Sequence, residues 1–191
     1  YYERFIPEVE RRSLRQWQLE RSQTYAEGLP DLLQDYDHVW FMHWSQDTSG
    51  FDALRNTGHV QTAVMTEEWL GNALNVYRFD RIPPEAITDY ESDMTLRDAE
   101  IHPRNNSYQI DLWWSAKVIL DADYTVSVLV LDTNGVLVAQ DDAQPFINQR
   151  PTTTWQPGEI IYDPHVINAD LPPGDYTVGV KVYRWTPEEI I

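Results

Sequence analysis

The sequence predicts an α+β chain in which an α/β segment is packed on an antiparallel β-sandwich, and three observations carry that prediction. The run Tyr124-Thr-Val-Ser-Val-Leu-Val-Leu131 and the run Tyr176-Thr-Val-Gly-Val-Lys-Val-Tyr183 alternate with period two, which places Tyr124, Val126, Val128 and Val130 on one face and Tyr176, Val178, Val180 and Val182 on another. Asp132-Thr-Asn-Gly135 between the first run and Val136-Leu-Val-Ala-Gln140 is hairpin chemistry, because Asn and Gly accept the positive φ of tight turns. Before the consecutive prolines Pro83-Pro84 the pattern changes to helices alternating with short apolar strands.

The elements follow in order. Around Val9, Leu14 and Trp17 the charged residues Arg11, Arg12, Arg15, Glu20 and Arg21 fit an amphipathic helix over 7–25, which Gly28-Leu-Pro30 is expected to stop. Asp31 to Tyr36 reads as a helical turn. The dense run His38-Val-Trp-Phe-Met-His-Trp44 is too short for a helix and reads as a strand buried from both sides. Phe51 to Asn56 looks helical, Glu67 to Leu70 is ambiguous, and Ala73 to Phe79 reads as a second strand. This αβαβ order allows a small parallel pair. Arg81-Ile-Pro-Pro-Glu85 is the linker, since prolines remove ladder donors and restrict the residue before them. The boundary falls at Pro84, giving segments 1–84 and 85–191.

Beyond Pro84, Leu96 to Ile101 is a first strand and Tyr108 to Ser115 a second, with Tyr108, Ile110, Leu112 and Trp114 inward and Gln109, Asp111, Trp113 and Ser115 outward. Outward Trp113, together with Leu129 and Leu131, implies an apolar outer face that needs a cover. The amino-terminal segment is the nearest one. Leu171-Pro-Pro-Gly-Asp-Tyr176 has the spacing of a tyrosine corner, a device of Greek-key sandwiches. The expected architecture is therefore an immunoglobulin-like sandwich of about seven strands.

Composition narrows the function classes. Fourteen Lys and Arg against 31 Asp and Glu give a net charge of −17 over 191 residues, which repels phosphate backbones and anionic lipid. Nucleic acid is excluded as a partner. With no cysteine there is no disulfide, thiolate metal site or Cys nucleophile. No run approaches the roughly 18 apolar residues of a membrane span, and no secretory leader opens the chain. It begins at Tyr1, as expected for a processed or excised piece of something longer.

Leu112-Trp-Trp-Ser-Ala116, Asp123-Tyr-Thr-Val126, Leu131-Asp-Thr-Asn-Gly135, Thr154-Trp-Gln-Pro-Gly-Glu159, Asp163-Pro-His165 and Pro172-Pro-Gly-Asp-Tyr176 span most of the second half. In these motifs the chain resembles the extracytoplasmic carboxy-terminal region of bacterial dolichyl-phosphate-mannose-mannosyltransferase-like (family 39-type) membrane glycosyltransferases. Asp37-His-Val-Trp-Phe-Met42 with Val76-Tyr77 is similar to the soluble segment after their membrane helices. The resemblance implies a parent that moves a sugar from a lipid-linked donor, using an acidic residue in a membrane-near loop that this sequence does not contain. It carries over no catalytic residue and no cofactor. What it implies is an accessory domain at the extracytoplasmic face of a bacterial cell membrane, tethered through a transmembrane remainder that is its partner.

The residues with chemistry support little else. Glu67-Glu68 and Asp141-Asp142 are adjacent carboxylates, and adjacent strand residues face opposite ways, unlike a glycosidase pair set across a sugar. Asp163-x-His165 puts two ligand types on one strand face, but no spacing marks the third ligand that zinc requires. No metal site is assigned. Asp132-x-Asn134-Gly135 begins like a calcium loop, yet Ala143 stands where the terminal Glu belongs. No Gly-x-Ser-x-Gly or phosphate-binding glycine loop occurs. The sequon Asn105-Asn-Ser107 reads as a polar loop. Of eight tryptophans, Trp113 and Trp155 are the carbohydrate-binding candidates, because an indole face can stack on a sugar ring. For Trp113 interdomain packing is favoured over a sugar platform, because Leu129 and Leu131 share its face, and Trp44 and Trp69 are placed between the halves. The reading is a noncatalytic accessory domain that braces a membrane glycosyltransferase or binds glycan. Its rivals are a free-standing secreted glycan-active hydrolase and a structural protein-interaction domain.

Overall fold

In a computed structural model of the chain, residues 25–43, 49–69 and 72–184 are described. The helix expected over 7–25 lies outside them but for its last residue, as do the placement of Trp44 and the side chains of Glu67, Glu68 and Trp69. Among the described residues two helices, α1 (Tyr25–Leu33) and α2 (Ser49–Asn56), with the short turns Pro145–Asn148 and Thr152–Thr154, accompany ten strands: β1 (His38–His43), β2 (Val60–Trp69), β3 (Asn72–Asp80), β4 (Thr88–Asp89), β5 (Met94–Arg104), β6 (Ser107–Ala116), β7 (Thr125–Leu131), β8 (Leu137–Ala143), β9 (Ile161–Ile167) and β10 (Thr177–Tyr183). They form an N-terminal sheet β1-β3-β2, a central sheet β4-β5-β6-β9 and a distal sheet β10-β7-β8. Every pairing is antiparallel. No described helix is long and apolar enough to cross a membrane.

The N-terminal sheet corrects the expected parallel pair. β1 and β2 run the same way, but β3 lies between them and pairs antiparallel with both, so the crossover through α2 makes a split βαβ unit. β2 escaped the sequence reading beyond its ambiguous end. It is an edge strand with a register shift between Gln61 and Ala63, which breaks the alternation that marks a strand, and Val60 and Val64 are exposed. Nor does Gly28-Leu-Pro30 stop a helix. α1 runs through Pro30 to Leu33, where burial of Leu33 against Phe41, Phe51, Leu54 and Phe79 outweighs a missing backbone bond.

Those contacts cover one face of the N-terminal sheet, and the central sheet covers the other. Trp40, Ala63 and Met65 pack with Trp113, Phe146 and Tyr162. The strand His38–His43 is packed on both faces but not enclosed as its unbroken apolar run predicts: Phe41 is buried, Val39 and Trp40 are half-buried, and Met42 is 58% exposed at this edge of the sheet. β6 is enclosed on both faces, and its residues from Gln109 to Ala116 are all buried.

The sandwich core lies between the central and distal sheets. Ile110, Leu112 and Trp114 of β6 and Ile161 and Ile167 of β9 meet Val126, Val128 and Val130 of β7, with Val178, Val180 and Val182 of β10 behind. β7 and β10 place their valines opposite one another in register, Val130 with Val178, Val128 with Val180 and Val126 with Val182. The hairpin between β7 and β8 forms where its residues demand. Gly135 has φ +77°, and the Asp132 carboxylate accepts from the Asn134 and Val136 N–H groups at 2.8 and 2.9 Å, which commits the carboxylate that a calcium loop would need.

Trp113 does not share an outer face with Leu129 and Leu131. It faces the N-terminal sheet, whereas those leucines sit on the distal sheet between core-facing valines. Period two assigns a side within one sheet and cannot say which sheet the strand joins. The tyrosine corner is formed, with Tyr176 donating to the Pro172 carbonyl at 2.7 Å. Tyr176→Phe removes one hydroxyl bond and is expected to cost about 1 kcal/mol, read as a lower urea midpoint at unchanged slope.

Candidate functional site

The residues with chemistry gather at the seam between the N-terminal and central sheets. Alternation on β3 points Arg78 and Asp80 at the central sheet while Tyr77 and Phe79 pack under α2. Across from them β6 presents Asp111 and Trp113, and β9 presents Tyr162. Arg78 Nε donates to both Asp80 oxygens, at 2.9 and 3.1 Å. Its guanidinium lies 3.8 Å from the centre of the Tyr162 ring and 5.2 Å from the rings of Trp40 and Trp113, a desolvated cation held by aromatic faces.

Asp80 is fully buried and fully used. It accepts from His38 Nδ1 at 2.7 Å, from Trp113 Nε1 at 2.9 Å and from the Thr62 hydroxyl, besides Arg78. Burial alone would raise its carboxyl, but the Arg78 charge and these bonds hold it below the ordinary carboxylate range. Asp111 follows the same logic: burial opposes its charge, and His102, Arg78, Gln109 and the Tyr162 hydroxyl at 2.9 Å sustain it. The Tyr162 phenol is pushed well above its usual value by burial, so it stays a donor. His38 stacks on Trp113 at 5.1 Å. Burial works against its proton, yet the bonds to Asp80 and Glu100 lift its pKa to about 9.

An open cleft of about 280 Å³ borders this cluster, lined by Asp37, His38, Arg81, Ile82, Asp98 and Glu100 among others. The Glu100 carboxylate on its wall suits no acid catalyst. Asp37 lies 3.3 Å from Arg81 Nε, Asp98 accepts from the Ala99 N–H, and the hydrogen bond from His38 holds Glu100 below its normal range, the reverse of what a general acid needs.

A second buried cluster sits inside the sandwich. Asp163 and His165 share the core-facing side of β9, and Asp141 of β8 reaches across to them. His165 Nδ1 is 2.8 Å from Asp141 and Nε2 3.2 Å from Asp163, while Asp163 also accepts from Trp114 Nε1 at 3.1 Å and the Phe146 N–H at 2.9 Å. Burial opposes the His165 proton, but the two aspartates raise its pKa to about 10. The imidazolium is their shared counter-ion. Above it the chain turns through three successive left-handed residues, Phe146, Ile147 and Asn148, with φ of 53°, 56° and 61°. This conformation is costly for a β-branched Ile and aims the Phe146 N–H at Asp163. Asp142 points the opposite way, to Gln140 and Tyr183, so Asp141-Asp142 is not a facing pair.

Neither carbohydrate candidate offers a ring to a sugar. Trp113 and Trp155 are both 0% exposed, Trp113 between two sheets and Trp155 in the sandwich core with its Nε1 on the Arg150 carbonyl at 3.1 Å. The stacking platform expected of them is corrected on that ground. Arg78, Asp80 and His38 were not singled out from sequence. The available signal was charge at i and i+2 within an apolar strand, and Asp111 beside Trp113 on the outward side of β6. Among the described residues no group of three or more His, Asp or Glu is arranged to hold a metal.

Asp80→Asn leaves the buried Arg78 cation short of a counter-charge and is expected to destabilise the fold by about 3–5 kcal/mol, measured by urea denaturation. The His165 proton is held more tightly folded than unfolded, so its stabilisation is complete below about pH 6.5 and disappears as pH rises through about 10. Wild-type stability should fall by at least about 2 kcal/mol over that interval, and His165→Gln, weaker at acid pH, should fall less.

No protein-family model matches the chain, and no curated protein does. Among solved structures, an endonuclease/exonuclease/phosphatase from Beutenbergia cavernae aligns with 67% of this chain and 35% of its own length, at 10% identity and a TM-score of 0.29. The chain thus spans about a third of that protein, and so loose a likeness bears on neither fold nor activity.

Proposed function

We propose that this chain is a noncatalytic accessory domain at the extracytoplasmic face of a bacterial membrane, bracing the membrane-embedded remainder of a glycosyltransferase-like parent. The observation that carries the reading is the seam cluster, in which Arg78, Asp80, Asp111 and His38 are bound to one another across two sheets. Groups that could do chemistry are spent on holding layers together. The motifs behind the family resemblance have the same character: Asp132–Gly135 is a hairpin, Trp155 a core plug, Asp163 and His165 a buried ion cluster, and Pro172–Tyr176 a corner.

Within this reading the sandwich is immunoglobulin-like and the first segment a small α/β layer docked on it. Seven strands in two sheets and the tyrosine corner support the former, although β6 stays beside β5 where an immunoglobulin domain moves its third strand to the other sheet. The split βαβ unit supports the latter. A structural protein-interaction domain is the second reading, favoured by Val136, Leu137 and Val138, exposed together at the free edge of the distal sheet.

Titration calorimetry of the chain against a panel of oligosaccharides should give flat traces, with no turnover of glycoside substrates. Saturable heat or hydrolysis would overturn the bracing role. The coding sequence upstream of Tyr1 should specify several long apolar segments, and a lone short leader there would remove the membrane parent.

A further inference from the structure

The seam closes into a ring of alternating charge. His38 bridges Asp80 at 2.7 Å and Glu100 at 3.1 Å, and the other Glu100 oxygen is 3.2 Å from His102 Nε2. His102 lies 3.5 Å from Asp111, Asp111 3.8 Å from Arg78, and Arg78 2.9 Å from Asp80. Half of the members, His38, Arg78 and Asp80, belong to the N-terminal sheet; Glu100, His102 and Asp111 belong to the central sheet. With both imidazoles protonated the ring balances three cations against three carboxylates. Without those protons two negative charges are in excess, in a space where Asp80 is 0% and Asp111 4% exposed. Water screens such repulsion poorly.

The histidines stand on the wet side of the ring. Their side chains are 27% and 47% exposed, against 5% for Arg78, and His38 lines the open cleft. Their protons can therefore leave while the fold is intact. We propose that the ring is a proton-operated latch, in which protonated His38 and His102 clamp the N-terminal sheet to the sandwich and their deprotonation releases that sheet while the sandwich stays folded. The latch does not depend on the accessory role.

The groups facing His38 are Asp80 and Arg78 from β3, Glu100 and Asp98 from β5, and Asp37 and Arg81 along the cleft wall. Those facing His102 are Glu100, Asp111 and Arg78. Burial and the Arg78 charge oppose protonation, and the carboxylates prevail at both positions. The proton on His165 lies on the other side of the central sheet, on a side chain that is 0% exposed, so it belongs to the sandwich and not to the seam.

Hydrogen exchange followed by mass spectrometry, corrected for the intrinsic pH dependence of exchange, tests this on the full chain from about pH 7 to 9.5. The latch predicts that amides of β1 and β3 exchange through an opening that leaves β7 and β10 protected, and that this opening becomes about tenfold more populated over this range. His102→Gln, at a half-exposed position that tolerates change, should begin with weaker protection in β1 and β3 and lose less on raising the pH. His38→Gln should do so more strongly. Amides of β1 and β3 exchanging only together with those of β7 and β10 at every pH, or an unchanged pH dependence in His102→Gln, would overturn the latch.

Discussion

A buried guanidinium sets the terms for the rest of this molecule. Arg78 lies in the middle of an apolar strand and is sealed between two sheets, where an unpaired charge would be untenable. The surrounding sequence supplies what it needs: Asp80 two residues on, Asp111 and the Tyr162 face on the opposing sheet, and indoles on either side. None of these partners is spare. Asp80 in turn fixes His38 and Trp113, so one cation orders side chains from four strands and decides how the N-terminal layer sits on the sandwich. Replacing the cluster with hydrocarbon could give equal stability, but it would specify the register of the two layers less sharply.

The sandwich repeats the device at smaller scale. Valines in register on β7 and β10 line the distal side of its core, and the imidazolium of His165 between Asp141 and Asp163 ties β8 to β9 across the two sheets. The left-handed turn at Phe146–Asn148 serves this cluster by pointing a backbone donor at Asp163. Its conformational strain is offset by burial of Phe146 against Tyr162. The turn therefore belongs to both clusters: its N–H reaches the inner one and its side chain abuts the seam.

Much of the sandwich was legible in the sequence because its signals are local. Alternating valines, an Asn-Gly turn and a Pro-Pro-Gly-Asp-Tyr corner are each read within ten residues, and their faces and bonds follow from period two and positive φ. The N-terminal layer was less so. A bulge scrambled the alternation of β2, and the order β1-β3-β2 is a matter of which strands meet, which no local pattern records. The seam was half legible. Gln109, Asp111 and Trp113 could be placed together on the outward side of β6, but the partners that Asp111 and Trp113 bind, His38, Arg78 and Asp80, lie at least 33 residues away along the chain in those contacts, beyond the reach of spacing rules. The outward side of Trp113 and its need of a cover were legible, and the N-terminal layer supplies that cover; the burial of Trp155 was not, since it is covered by chain far from it in sequence.

Arg78 and Asp111 act as a bound pair between the layers, and a double-mutant cycle is the sharpest check on that pairing. With Arg78→Met, Asp111→Leu and the double variant compared by denaturation, the expected coupling is about 1–3 kcal/mol, the double variant being more stable than the sum of the single losses allows. Strict additivity would mean that the two groups do not hold the layers together, and the seam would then be ordinary packing with incidental charges.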